Sequence, residues 1–345
     1  MLNINTVAEI EFELREEIGQ EGRNSQVFRS YDQALDAELV VKRVPKNSVA
    51  DANALFNEAR TLYKSSHPYV VPINYACQDN DFIYLAMPYF PNGSLAQLMS
   101  QRFLTVREII RFLCQFVSGL HNIHSKGLIH FDIKPDNILL SHRGEALLSD
   151  FGLAKHTNSL GLARPNQMYV KQLPPECFAA NEYTTAFDVY QVGLTLYRMC
   201  VGSEKFNQQF MSYVVAGNLE RPQFEAALRN EVFPNRTAYP EHIPDKVKQT
   251  ISKCLKPSPD DRFNSVLEIT NALSTIDEKL LDWQFELNGN QKKWSKEFDG
   301  AIKYIAIENG NSIAKRVPSA GKETNINQYC INNIGTRDLK RFFKI

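Results

Sequence analysis

Between residues 130 and 152 the chain concentrates side chains suited to phosphate chemistry. His130-Phe131-Asp132-Ile133-Lys134-Pro135-Asp136-Asn137 is followed by Asp150-Phe151-Gly152. The first segment places carboxylate and amide oxygens and one ammonium on a short loop. Carboxylate and amide oxygens suit a hard cation such as Mg²⁺, which commonly bridges substrate phosphates. One carboxylate is then left to orient a hydroxyl and accept its proton.

The flanking LIH and NILL read as strands that hold this loop. From Glu11 to about Met87 the pattern is strand-like: FELREEI, SQVFRSYD, AELVVKRV, YVVPINYA and FIYLAMPYF are short and rich in β-branched and aromatic residues. Residues 50–64 interrupt them as a helix, with Leu55, Glu58, Ala59 and Leu62 at i, i+3, i+4 and i+7. Glu58 lies on the apolar stripe of that helix and so requires an inward partner. After Pro91-Asn92-Gly93 the texture turns helical. Thr105-x-x-Glu108 is a capping box that opens a helix running through Ile110, Leu113, Val117, Leu120 and His124 to Gly127. DVYQVGLTLYRMCVG predicts a second helix from Asp188, and further helices are expected around 245–255 and 264–280. A β-rich part followed by a larger α-rich part predicts an α+β chain with two lobes and a crevice between them.

In order and content these segments resemble the eukaryotic-type (Hanks-type) serine/threonine protein kinases over residues 11–276, with a small lobe at 11–90 and a large lobe at 91–276. The resemblance implies an ATP- and Mg²⁺-dependent phosphotransferase, with Mn²⁺ as a substitute ion, acting on a protein that carries Ser or Thr. Asp132 matches the residue that orients the substrate hydroxyl, and Lys134 the lysine that contacts the transferring phosphate. Asn137 and Asp150 match the metal ligands. Lys42 matches the lysine on the α- and β-phosphates, with Glu58 as its partner. Met87 matches the gatekeeper and Pro88-Tyr89-Phe90 the adenine hinge, with the Phe90 N–H as donor. Val27, Val40 and Leu139 would sandwich the base. Leu62, Ile73, His130 and Phe151 match the hydrophobic column linking the lobes. Asp188 matches the brace of the catalytic loop, and Glu176, in Pro174-Pro175-Glu176, pairs with Arg262.

The departures are specific. In the phosphate-covering loop Gly22 fits the second glycine, Ser25 replaces the third, and Gly19 falls one residue early. Val40 stands where alanine is usual, which implies a tighter adenine pocket. Phe131 replaces the arginine that reads a phosphorylated activation loop, so strict dependence on that phosphate is not expected. Thr157, Ser159 and Tyr169 remain candidate phosphorylation sites, and Tyr169 stands where a threonine is usual. Two other functions stay open on the sequence: a nucleotide-binding scaffold of the same fold, and a small-molecule kinase.

The rest of the composition narrows the class. The 345 residues carry 39 basic and 39 acidic side chains, so no global field favours nucleic acid or membrane. No apolar run is long enough to span a bilayer, and the amino terminus lacks the pattern of a secretory signal. The six cysteines form no C-x-x-C pair and predict free thiols in a reducing, cytoplasmic compartment. Residues 277–345 read as a separate small α+β module. Trp283, Phe285 and Leu287 alternate into an Asn288-Gly289 turn, GAIKYIAIENG runs into an Asn309-Gly310 turn, and TRDLKRFFKI forms a short helix. With 12 basic and 9 acidic residues this module is weakly cationic. Its aromatics, Trp283, Trp294, Phe298 and Tyr304, are expected as its core rather than as a nucleic-acid face. A role in binding a partner or regulating the kinase stays open.

Overall fold

The computed structural model describes residues 9–19, 25–48, 56, 60, 63–64 and 66–345. The amino-terminal part is a five-stranded antiparallel sheet built from β1 (Phe12–Gly19), β2 (Gln26–Asp32), β3 (Ala37–Pro45), β4 (Tyr75–Gln78) and β5 (Phe82–Pro88), in the order β1-β2-β3-β5-β4. Alternation in β3 buries Leu39 and Val41 against Ala86 of β5 and turns Val40 and Lys42 to the other face. Register then sets Val27 opposite Lys42 and Met87 opposite Val40, so these four residues share that second face. The strand expected from Tyr69 starts only at Tyr75. Val70 makes an isolated bridge to Leu148, and the chain at Tyr69 and Val71 hydrogen-bonds Leu148 instead, tying the sheet to the second lobe. Phe56, Arg60, Tyr63 and Lys64 are helical, as the periodicity of 50–64 predicts. Glu58 and Leu62 lie outside the described residues, as does Gly22.

The second lobe packs around the helix Val106–His124. Its buried face is Ile109, Phe112, Leu113, Phe116, Val117, Leu120 and Ile123, at the 3–4-residue spacing of an amphipathic helix. The capping box is formed: the Thr105 hydroxyl accepts the Glu108 N–H, and the Glu108 carboxylate accepts the Thr105 N–H. At the other end Gly127 adopts φ +70°, the left-handed stop that glycine adopts without a Cβ penalty. Gly119 is needed for another reason. A Cβ there would lie 2.4 Å from the Tyr69 carbonyl oxygen, so only glycine lets the helix approach the first lobe.

The helix Ala186–Val201 is buried at every residue but the first. Four polar side chains nevertheless lie along it, Asp188, Gln191, Thr195 and Arg198, spaced to form one stripe. Beside it run Ser203–Met211, Arg221–Arg229, Asp245–Cys254 and Val266–Leu273. The last of these is shorter than the expected span of 264–280, because the chain leaves the helix after Leu273 and enters a single 3₁₀ turn at Glu278–Leu280.

Two short antiparallel pairs carry the loop of interest: β6 (Leu128–Ile129) pairs with β9 (Lys155–His156), and β7 (Ile138–Leu140) pairs with β8 (Ala146–Leu148). A further hairpin, β10 (Val214–Val215) and β11 (Asn218–Leu219), lies on the surface. No helix among the described residues is long and apolar enough to cross a membrane.

Residues 284–325 form a second five-stranded antiparallel meander: β12 (Gln284–Asn288), β13 (Gln291–Phe298), β14 (Ala301–Glu308), β15 (Asn311–Pro318) and β16 (Thr324–Asn325), followed by the helix Thr336–Phe342. The Asn309-Gly310 turn forms as expected, with both residues at positive φ, the geometry that suits a two-residue hairpin. The first turn differs by one residue from the expectation. Asn288 pairs with Gln291 and is the last strand residue, leaving Gly289-Asn290 as the loop. An unanticipated Asp299-Gly300 turn joins β13 to β14, again with both residues at positive φ. Trp283 and Trp294 are fully buried with Phe285, Ile305, Phe342 and Phe343, as a core reading predicts. Phe298 instead stands on the surface with Lys303 over its ring.

This module rests on the second lobe. Phe103 packs at a tilt against Phe285 with ring centroids 4.7 Å apart, Arg107 forms a two-pronged pair with Asp282 at 2.6 and 3.0 Å, and the Trp294 indole N–H donates to His242 Nδ1 at 2.9 Å.

Candidate active site

The polar stripe on helix 186–201 grips the loop 130–137 from beneath. Asp188, fully buried, accepts the N–H of His130 at 2.8 Å and of Phe131 at 2.9 Å, and sits 2.7 Å from His124 Nε2. Gln191 accepts the Ile133 N–H at 2.8 Å and donates to the Phe131 carbonyl at 2.9 Å. Thr195 donates to the Ile133 carbonyl, and Arg198 reaches Asp136 at 3.4 Å. Asp188 was legible in the sequence, but Gln191, Thr195, Arg198 and His124 were not singled out. For the first three the signal was present: with Asp188 they make four polar residues on one stripe of an otherwise apolar helix, which must meet polar backbone.

This grip holds Phe131 at φ +67°, an outlier for a bulky side chain. Its ring fills a buried cluster, edge-on to Phe187 at 4.9 Å and to Tyr183 at 6.3 Å, with Ala163 and Ile129 completing the packing. Ala163 and Tyr183 bond each other through both N–H and C=O groups, at 2.9 Å each. Phe131 therefore attaches the loop 130–137 to the segment 153–185 through apolar contact, at the position expected to lack a phosphate-reading cation.

Asp132 is buried at 2% exposure. Its Oδ2 accepts from Asn137 Nδ2 at 2.7 Å and lies 3.1 Å from Lys134 Nζ. Its Oδ1 is buried with no hydrogen-bond partner among the described residues. Burial raises the Asp132 pKa above the usual carboxylate value, and the Lys134 ammonium opposes that rise. His130 is fully buried, which lowers its pKa and keeps the ring neutral. Nε2–H then donates to the Ser149 carbonyl at 3.1 Å, and Nδ1 accepts the Asp132 N–H at 3.3 Å. The His130 ring meets Phe151 edge-on at 4.8 Å, and Ile73 packs against the same core.

Across the crevice, Lys42 Nζ lies 3.4 Å from Asp150 Oδ1. That ammonium is the main reason the Asp150 pKa falls below its ordinary value. Asn137 spends both amide hydrogens on Asp132, on Oδ2 and on the main-chain oxygen, which leaves its Oδ1 as an acceptor. Asp132, Lys134, Asn137, Asp150 and Lys42 are thus brought together. Val27, Val40, Met87, Pro88, Phe90 and Leu139 are all half-buried, whereas their neighbours Leu39, Val41, Leu85 and Ala86 are buried. Gly19 ends β1 opposite Val27, and Ser25 precedes β2. Tyr169 presents its ring to Lys134 Nζ, 3.9 Å from the centroid. Further out, Arg262 holds Glu176 through two bonds of 2.8 and 2.6 Å, and its guanidinium is fully buried.

A family model described as a protein kinase domain matches residues 12–275. Protein kinase 3 of Dictyostelium discoideum is 27% identical over 282 residues, covering 77% of this chain and 28% of that protein. Serine/threonine-protein kinase STE20 of Saccharomyces cerevisiae is 27% identical over 271 residues, 75% of this chain and 27% of its own length. Serine/threonine-protein kinase PknD of Chlamydia trachomatis serovar L2b is 25% identical over 329 residues, 84% of this chain and 34% of that protein. The chain spans about a third or less of each of these relatives. Its bilobal fold, its loop geometry and the span of the match agree, and the chain belongs to the protein kinase domain family.

Proposed function

We propose that this chain is a serine/threonine protein kinase that transfers the γ-phosphate of ATP to a protein hydroxyl. The observation that carries this reading is Asp132, whose Oδ2 is anchored while its buried Oδ1 is left without a partner. A substrate hydroxyl supplies the missing donor. Its oxygen attacks the γ-phosphorus, the bond from that phosphorus to the β-bridging oxygen breaks, and the hydroxyl proton passes to Asp132. Lys134, beside Asp132, faces the charge on the transferring group, and Lys42 holds the α- and β-phosphates. The donor set of Asn137 Oδ1 and the Asp150 carboxylate fits Mg²⁺, which takes few protein oxygens and keeps the rest of its shell for phosphates and water. When bound, the ion neutralises charge on the phosphates; Mn²⁺ has the same ligand preference. Val27, Val40 and Leu139 would enclose adenine, with Met87, Pro88 and Phe90 along its edge, and Gly19 and Ser25 flank the loop that would cover the phosphates. The Glu176–Arg262 pair bracing the segment after Tyr169 supports a lobe that receives a protein chain rather than a small molecule.

Transfer of ³²P from ATP to a mixed protein substrate with Mg²⁺ tests this. Asp132→Asn should retain the fold and lose about 10²- to 10⁴-fold in rate, the usual contribution of a positioned base. Equal transfer by the wild type and this variant would refute the reading.

A further inference from the structure

Away from the crevice, a cavity of about 600 Å³ lies between the loop 241–245 of the second lobe and the C-terminal turn of the module. That volume falls in the range of small-molecule sites, and such sites concentrate at junctions between structural units. One wall is cationic. Arg337, Lys340 and Arg341 stand at i, i+3 and i+4 on the helix Thr336–Phe342, Lys344 follows in the turn after it, and all four line the cavity. Like charges four apart on a helix oppose its formation. Local carboxylates offset this only in part. Lys340 pairs with Asp245 at 2.8 Å, and Arg341 approaches Asp338 at 3.7 Å on an open surface. Asp245 is shared with Lys248, and Glu241 is taken by Lys292 at 2.6 Å. Neither Arg337 nor Lys344 has an ion pair among the described residues.

The lining also has apolar side chains, Ile243, Pro244, Leu280 and Phe343. One lining side chain also carries a buried donor without a partner among the described residues, His242 Nε2; Glu241 Oε2, buried and likewise unpartnered, only accepts and offers nothing to a phosphate. The state of His242 follows from its neighbour. The Trp294 indole can only donate, so Nδ1 accepts and Nε2 carries the hydrogen of the neutral ring. Burial pushes the His242 pKa down to about 3, consistent with that neutral ring. Buried groups left unsatisfied mark places where a ligand or water belongs.

We propose that this cavity binds an organic phosphate monoester, its dianionic head on Arg337, Arg341 and Lys344 and its apolar body against Ile243, Leu280 and Phe343. Guanidinium groups match phosphate oxygens in two-pronged fashion, which favours phosphate over a carboxylate of single charge. Because the walls come from both units, an occupant would also hold the module to the lobe.

The test is calorimetric titration of the full chain with hexyl phosphate, with inorganic phosphate and hexanol as the two halves of the probe. Hexyl phosphate should bind saturably, raise the unfolding temperature, and bind at least about tenfold more tightly than either half. The double variant Arg337→Ala/Arg341→Ala should weaken it on the order of tenfold or more. Lys344→Glu, at an exposed side chain outside the helix, gives an independent check should the double variant not fold, and should weaken binding in the same direction. Absence of saturable binding, equal affinity for inorganic phosphate or hexanol, or affinity unchanged in the variants would overturn the proposal.

Discussion

Asp132 and Lys134 form a pair whose protonation should be visible in rate. Burial raises the Asp132 pKa and the Lys134 ammonium holds it down. The carboxylate works as a base only when ionised, so activity should fall as pH drops through that raised value, at higher pH than for an exposed aspartate. Lys134→Ala should lower the rate and move the acid limb further up in pH; a limb that stays in place in the pH–rate profile would contradict the pairing. Phe131 gives a second residue-level expectation. With its ring in the cluster of Tyr183 and Phe187, Phe131→Ala should cost about 3–5 kcal/mol in urea unfolding, the range for emptying a buried aromatic site. Because the contact is apolar, replacing Thr157 and Ser159 by Ala and Tyr169 by Phe should leave ³²P transfer largely intact. Abolished transfer in a folded triple variant would show that a loop phosphate is required after all.

Among the elements, helix 186–201 does the most to shape the site. Its apolar residues embed it in the core, and its polar stripe fixes the backbone of residues 130–133. Gln191→Leu keeps the size and removes two hydrogen bonds to that loop. It should destabilise by roughly 1–3 kcal/mol through the unpaired Ile133 N–H and Phe131 carbonyl, and lower kcat more than it raises KM for ATP. A kcat unchanged beside a loss of stability would make Gln191 merely structural. The outer brace is electrostatic. Glu176→Ala leaves the buried Arg262 guanidinium without its carboxylate and should cost about 3–5 kcal/mol by thermal or urea unfolding.

For the whole molecule, the module and the lobe share a buried seam at Trp294 and His242. His242 is held neutral, with a pKa near 3, while an unfolded histidine titrates near about 6.5. Between those values the unfolded chain binds the extra proton, so stability should fall as pH drops from about 6.5 towards 3. Buried His130, whose pKa is also lowered, adds to the same trend. His242→Asn should flatten the acid limb of stability measured by urea unfolding from pH 7 to 4; an unchanged slope would mean that the seam does not bury this group.

How much of this was readable beforehand follows from the range of each interaction. Asp132, Lys134, Asn137 and Asp150 stand close together in the chain at fixed spacing, so their chemistry was legible, as were Thr105-x-x-Glu108 and the Asn309-Gly310 turn, each set by local backbone geometry. Glu176 and Arg262, far apart in sequence, were paired only through resemblance. The strand at 69–74 was misread because long-range bonds to Leu148 claim that backbone. The Phe131 cluster and the seam of Trp294 on His242 joined residues without any local pattern linking them. Sequence by itself determined which groups could perform phosphoryl transfer, because that depends on residue type and short spacing. Only the tertiary structure decided that Asp132 keeps an unpaired oxygen, that Phe131 binds the segment 153–185 through apolar packing, and that the C-terminal module docks on the lobe through a buried seam. Those outcomes depend on burial and on contacts between distant segments, which folding alone creates.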